Sequence, residues 1–267
     1  MMKGQIDKLF QLRQEIDECD KTLVQSFRRR MELVLEVLKY KRENKLPILN
    51  VQREEEVIHK AQAYLEDSRF DKEVEELFRD IMKICRRLQS KSLFPFNIVL
   101  IGFMGTGKSI IGRDLVKRLE MPCKDTDAMI VKRSGMEISE IFERHGEAYF
   151  RELESQVVKE VSQETNTIIF CGGGVVLNKE NVNNLRRGGR LILLRAKPET
   201  ILERLTGDET RPVLKDNLSL EGIQEIMNKR NQAYNEAADI AIDTDNKSVE
   251  EISLEIINKL YSLEKGY

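Results

Sequence analysis

The octapeptide GFMGTGKS, Gly102 to Ser109, follows directly on the apolar run Phe96 to Ile101. Glycines at this spacing let a backbone turn tightly enough to aim several N–H groups at one anion. Lys108 adds a mobile positive charge, and Ser109 offers an oxygen to a divalent cation. The pattern predicts a cradle for nucleotide phosphates on a turn from a strand into a helix. Further on, Thr167 to Phe170 leads into Cys171, Gly172, Gly173 and Gly174, with no Asp or Glu closing the apolar run. A strand end lacking that carboxylate argues against a water-activating motor and for phosphoryl transfer to a small molecule. The three glycines are either a flexible turn or a place where a ligand comes close to the backbone.

A second set of chemical groups lies upstream. Leu9, Leu12, Ile16, Cys19, Leu23, Phe27, Met31, Val34 and Leu38 recur at helical spacing, and no Gly or Pro interrupts Ile6 to Glu43. This predicts one long amphipathic helix. Its stripe, followed in steps of three and four, runs through Arg30 and on to Lys41. Pro47 breaks the pattern between Leu46 and Val51. A second helix is then predicted over Gln52 to Leu65, opening on Arg53 and Glu54, and a third over Asp71 to Gln89, with Cys85 and Gln89 on its inner side. Cations on a face that should be apolar suit a small ligand with several negative charges. The alternative is that their long stems carry the charges to solvent and the module is a helical dimerisation arm. Arg30 and Lys41 are eleven residues apart, about 16 Å along one face, so both can reach a ligand between them. Arg13 lies 28 residues from Lys41, about 42 Å along the helix, and can serve that ligand only from another subunit.

These groups need two scaffolds. A chain of 267 residues can bury two cores. Ser90 to Pro95 reads as a short polar linker, which predicts a helical domain over 1–92 and a second domain over 93–267. Beyond the linker, strand and helix patterns alternate at Ile98 to Ile101, Ser109 to Leu119, Thr167 to Cys171 and Leu191 to Leu194, predicting a parallel sheet flanked by helices. Lys and Arg number 44 against 46 Asp and Glu, divided 20 against 18 over 1–92 and 24 against 28 over the rest. Neither part is a basic arm for nucleic acid. No apolar run reaches membrane-spanning length. The four cysteines are widely separated and the N-terminus MMKGQIDKLF has no apolar core, which predicts a soluble cytoplasmic protein with unpaired core thiols.

The order Arg13, Arg30, Lys41, Asn50, Arg53, Glu54, Gln89 resembles the all-helical chorismate mutase family over about residues 4–90. The resemblance implies that Lys41 and Gln89 hydrogen-bond the ether oxygen of chorismate, Arg30 and Arg53 hold its carboxylates, and Glu54 orients its hydroxyl. Arg13 would come from the second chain of an intertwined homodimer. Such a site needs no cofactor and no nucleophile, since the rearrangement to prephenate is accelerated by holding a compact conformer and stabilising charge on the breaking C–O oxygen. Two positions depart from the family: Asn50 stands where an acidic residue is common and Cys85 where a small hydroxyl residue is frequent. A helical module that senses chorismate or prephenate, or dimerises the chain, and so regulates its neighbour, is the alternative.

Residues 96–260 resemble shikimate kinase. The matching stretches are GFMGTGKS, Asp125 and Asp127 in KDTD, HGEAYFRELE around Arg151, CGGG, Arg204, Arg211-Pro212, and Arg230 four before Tyr234. The resemblance implies ATP along Gly105, Thr106, Gly107, Lys108, Ser109 and Ile110, with Arg204 stacked on adenine and Arg211 in a lid over Thr206 to Arg211. It also implies Mg²⁺ at Ser109 and Asp125, the acceptor hydroxyls of shikimate at Asp127, its carboxylate between Arg151 and Arg230, and a backbone N–H from Gly173. Lys108, Asp127 and Arg211 would be catalytic. In IDTDNKSVEEI, Val249 replaces a proline common in the family, a change expected to bear on ATP affinity.

Overall fold

With no proline and no glycine beyond Gly4 to interrupt it, the N-terminal stretch forms a single helix, α1 (Met2–Glu43). The structure, a computed structural model, describes residues 2–44, 46, 51–65, 67–206 and 219–263. It divides into two compact units, Met1–Gln89 and Ser90–Tyr267. In the first, α1 is joined by α2 (Val51–Ala63) and α3 (Asp71–Leu93), the latter preceded by a 3-10 turn, Ser68–Phe70. Asp67 caps that turn by accepting from the Arg69 N–H at 2.9 Å.

The helical unit buries little. Leu38, Ile58, Ala61, Met82 and Cys85 form its core among the described residues. The N-terminal half of α1 leaves its apolar stripe in solvent, with Leu9 51% and Ile16 58% exposed.

The polar linker expected at Ser90 to Pro95 is not there. The last turn of α3 carries on to Leu93 and belongs to the second unit, where Ser90 donates its hydroxyl to the Leu119 carbonyl at 2.6 Å and Phe94 is fully buried. A serine whose hydroxyl finds a carbonyl can be buried at little cost, so its polarity misreads as exposure.

The second unit is built on β1 (Asn97–Gly102), α4 (Lys108–Leu119), β2 (Cys123–Asp125), α5 (Thr126–Ser134), α6 (Ile138–Val161), β3 (Ile168–Phe170), α7 (Lys179–Gly188), β4 (Gly189–Arg195), α8 (Pro198–Leu205), α9 (Leu220–Ala237), β5 (Ile240–Asp243) and α10 (Val249–Leu263). The strands make one sheet in the order β2-β3-β1-β4-β5, with every pairing parallel. β1 lies at the centre, its Val99 facing Ile169 and Leu191 in register. All six β1 residues are buried, as expected for a strand covered on both faces, where apolar residues run without alternation. Gly112 lets α4 close onto β3, because a Cβ there would run into the Phe170 ring.

β2 and β5 were not legible as separate strands: both are short edge strands that are only partly buried, so neither carries the unbroken buried run that marks the equally short β3. The expectation of four core thiols holds for Cys85 and Cys171, while Cys19 and Cys123 are exposed; all four are unpaired.

Candidate active site

The carboxyl ends of β1, β2 and β3 point the same way, and the predicted kinase residues gather there. Where a parallel sheet reverses its strand order, the space beyond those ends is the natural ligand crevice. β1 ends in the glycine loop, whose Gly105 and Gly107 have φ of +76° and +93°, a region open to glycine at no steric cost. Lys108 starts α4 and bends its ammonium back over the loop, donating to the Gly102 and Phe103 carbonyls at 2.8 and 3.0 Å. Thr106 is buried and bonds the Phe103 carbonyl at 2.7 Å. Ser109 and Ile110 are exposed on the first turn of α4, where the helix dipole favours an anion.

Asp125 ends β2 and caps α5, its Oδ1 accepting from the N–H groups of Asp127 and Ala128 at 3.0 and 3.2 Å. That cap fixes the first turn of α5 and aims the Asp127 side chain at Gly172, the residue after Cys171 at the end of β3. Arg151, on α6, packs its guanidinium against Gly174 and donates to Glu154 Oε2 at 2.8 Å and to Glu147 at 3.0 Å. Arg230, on α9, lies over the Phe103 ring at 6.0 Å. Tyr234, one turn on, donates to the Gly173 carbonyl, and burial pushes its hydroxyl pKa up to about 12.

Asp127, Arg151, Glu154, Gly172 to Gly174 and Arg230 line one cleft of about 480 Å³, which also reaches Met104 of the glycine loop. An anionic acceptor held by the two arginines would therefore sit beside the phosphate cradle.

Arg204, on α8, is exposed and bridges the Gly105 carbonyl at 3.3 Å to the Thr244 hydroxyl at 3.1 Å. It braces the loop against the segment after β5. Arg211 and Asn50 lie outside the described residues, as does most of the expected lid. Val249 is the first residue of α10, a position where proline is favoured because its missing N–H would be unbonded anyway. Valine there is a local helix-start exchange.

In the helical unit, Arg30 reaches Cys85 Sγ at 2.7 Å and Met82 Sδ at 3.7 Å. Lys41 is half-buried, and that burial lowers its ammonium pKa. Gln89 is half-buried too. Glu54 is bound by Arg86, a partner that the sequence did not single out. Arg53 is exposed and pairs with Glu56 at 2.8 Å, and Arg13 is exposed on α1. Arg30 and Cys85 are thus brought together, whereas Arg53 pairs on the outer side and Arg13 is remote along a continuous helix.

Comparison with known proteins places both parts of this architecture in families. Residues 104–261, more than half of the chain, match the family model for shikimate kinase. The chain belongs to the shikimate kinase family. A shikimate kinase of Caldanaerobacter subterraneus subsp. tengcongensis is 42% identical over 167 residues, covering 62% of this chain and 97% of that protein. One from Geobacter sulfurreducens is 46% identical over 160 residues, covering 60% and 88%. Among solved structures, the Acinetobacter baumannii shikimate kinase in complex with shikimate superposes with a TM-score of 0.63 at 29% identity, covering 66% of this chain and 98% of its own. The Aquifex aeolicus enzyme gives 0.55 at 36% identity, covering 64% and 99%. Residues 12–90 match the model for chorismate mutase type II, so this shikimate kinase carries a chorismate mutase domain ahead of its sheet. The family in general uses ATP and Mg²⁺. Among the described residues, no helix is long and apolar enough to cross a membrane.

The kinase cleft holds one residue that sequence reasoning passed over. Glu154 is 0% exposed; one carboxylate oxygen takes the Arg151 bond, and Oε1 has no hydrogen-bond partner among the described residues. The signal was available: Glu154 follows Arg151 by three residues in FRELE, on the same helix face. Burial is the largest influence on its carboxyl and raises its pKa; Arg151 opposes the rise and Asp127 adds to it. A carboxyl raised in the folded state gives stability that is complete below its ordinary value of 4.5 and is lost as pH rises through the native value. The stability of the natural chain relative to Glu154→Gln should therefore fall as pH rises above the ordinary carboxyl value of 4.5. Thermal unfolding of both across that range measures it, and a pH-independent difference would contradict the burial argument.

Proposed function

We propose that residues 93–267 transfer the terminal phosphoryl group of ATP to the 3-hydroxyl of shikimate, and that residues 1–92 rearrange chorismate to prephenate. The observation that carries the kinase reading is the meeting of Asp127, Arg151 and Arg230 on Gly172 to Gly174, beside the glycine loop. Two guanidinium forks match one carboxylate, and a carboxylate beside the loop matches an acceptor hydroxyl. That pairing suits a polyol acid.

The residues have separate tasks. The loop N–H groups and Lys108 bind the phosphates, the ammonium exchanging its two carbonyl contacts for phosphate oxygen. Gly105, Thr106, Gly107, Ser109 and Ile110 follow the nucleotide, and Arg204 holds its adenine side. Asp127 accepts the hydrogen of the acceptor hydroxyl and turns its oxygen towards the donor. Arg151 and Arg230 hold the carboxylate, and the Gly173 N–H steadies the acceptor. Ser109 and Asp125 fit Mg²⁺, which takes one or two protein oxygens and completes its shell with phosphate and water. Bound there, the ion would neutralise charge developing on the phosphates. A purified full chain given ATP with shikimate or gluconate tests the reading: faster ATP consumption with shikimate supports it, and faster turnover with gluconate refutes it.

For the helical domain, the mutase reading uses Arg30 and Arg53 on carboxylates, Lys41 and Gln89 on the ether oxygen, and Glu54 on the hydroxyl, with Asn50 and Cys85 completing the pocket. Its homodimer is supported by the open apolar trough between α1 and α3, about 1060 Å³ and lined by Leu23, Phe27, Leu77 and Ile81. A second copy of α1 would cover such a trough and deliver Arg13. Mixing Arg13→Ala with Lys41→Ala chains should then restore part of the mutase activity through one intact site per heterodimer. Confirmed subunit exchange without recovery would rule out a shared site.

A further inference from the structure

The run Gly172 to Gly174 is not needed for its backbone shape. None of the three has φ in the left-handed region, and Gly174 sits at −101°, −4°, a conformation that residues other than glycine also adopt. What an added Cβ would meet separates them. At Gly173 the nearest atom is the Met104 nitrogen at 3.6 Å, an ordinary contact. At Gly172 the Cβ would lie 2.5 Å from Asp127 Oδ1 and 3.4 Å from Glu154 Oε1. At Gly174 the three nearest atoms all belong to the Arg151 guanidinium, with Cζ at 2.7 Å. Gly102 makes the contrast, since there a Cβ would run into the Leu194 carbonyl and strain the fold itself.

We infer that Gly172 and Gly174 are positioning residues with separate tasks: Gly172 leaves the space that seats the Asp127 carboxylate, and Gly174 leaves the flat surface on which the Arg151 guanidinium lies. In both places the obstructed group is the end of a side chain, which can swing away from a methyl group without unfolding the sheet. The displaced group would lose its aim at the acceptor. An alanine at 174 therefore weakens acceptor binding, and an alanine at 172 slows the chemical step. This rests on the roles proposed above for Asp127 and Arg151.

The test is steady-state kinetics of the full chain with ATP and shikimate. Gly174→Ala should raise the KM for shikimate about ten- to a hundredfold, the worth of a charge-assisted bond, while kcat and the KM for ATP stay within about threefold. Gly172→Ala should lower kcat about a hundredfold and leave the KM for ATP unchanged. On an Arg151→Ala background, Gly174→Ala should add nothing further, as coupled positions require. An unchanged KM in Gly174→Ala, or an effect that persists in full without Arg151, overturns the inference. An unchanged shikimate KM in Arg151→Ala alone is instead the failure of that arginine's assignment. Where an alanine variant folds poorly, the melting temperature decides: removing the obstructed side chain, as in Gly174→Ala with Arg151→Ala or Gly172→Ala with Asp127→Ala, should recover it. No recovery would mean that the glycine serves the backbone, which also overturns the inference.

Discussion

Asp127→Asn should lower kcat for shikimate phosphorylation by about 10² to 10⁴, the range for a lost proton acceptor in the transition state, while ATP affinity stays within about threefold. The amide keeps the shape of the carboxylate, so the variant separates charge from packing. Its neighbours make the loss specific. Asp125 caps α5 and fixes the position of residue 127 whatever its charge, and Gly172 leaves room for either side chain. In the proposed reading the nucleotide would be held by the loop and Lys108, on a different strand end. Equilibrium ATP binding and steady-state turnover on the same preparation measure the two effects. A loss of ATP affinity comparable to the loss of turnover would contradict the role.

Lys41→Ala should reduce prephenate formation by the full chain at least about a hundredfold, the typical effect of removing one donor from a developing oxyanion, and leave the kinase unchanged. Half-burial already disfavours charge on this ammonium, and a charged donor in a partly dry site acts more strongly on developing charge than one in water. Its side chain lies outside the small core of Leu38, Ile58, Ala61, Met82 and Cys85, so the helical unit should keep its far-ultraviolet circular dichroism. Chorismate binding without turnover in the unmutated chain would favour the sensing alternative.

How much was legible depended on the length of the pattern. The single long helix could be read because its stripe repeats over more than 30 positions, and the central strands because burial on both faces writes an unbroken apolar run. The glycine loop and Asp-x-Asp were legible because their chemistry demands particular residues at particular spacings. Three features were not. The short edge strands β2 and β5 are only partly buried and so lack the unbroken apolar run that marks β3. The supposed linker hid a serine buried through one hydroxyl bond. Arg86 reveals its partner only in three dimensions, where it meets Glu54 from another helix; Glu154 is spaced to meet Arg151, but its burial was hidden because an acidic residue three places from an arginine normally marks a solvated helix surface.

The measurement that tests the central claim most directly is a two-substrate assay of the purified full chain, following ADP formation with ATP and shikimate, and prephenate formation with chorismate alone. Two linked activities predict both products, with the kinase reaction lost in Asp127→Asn alone and the mutase reaction lost in Lys41→Ala alone. Absence of shikimate-dependent ADP formation, or either variant abolishing both reactions, would contradict it.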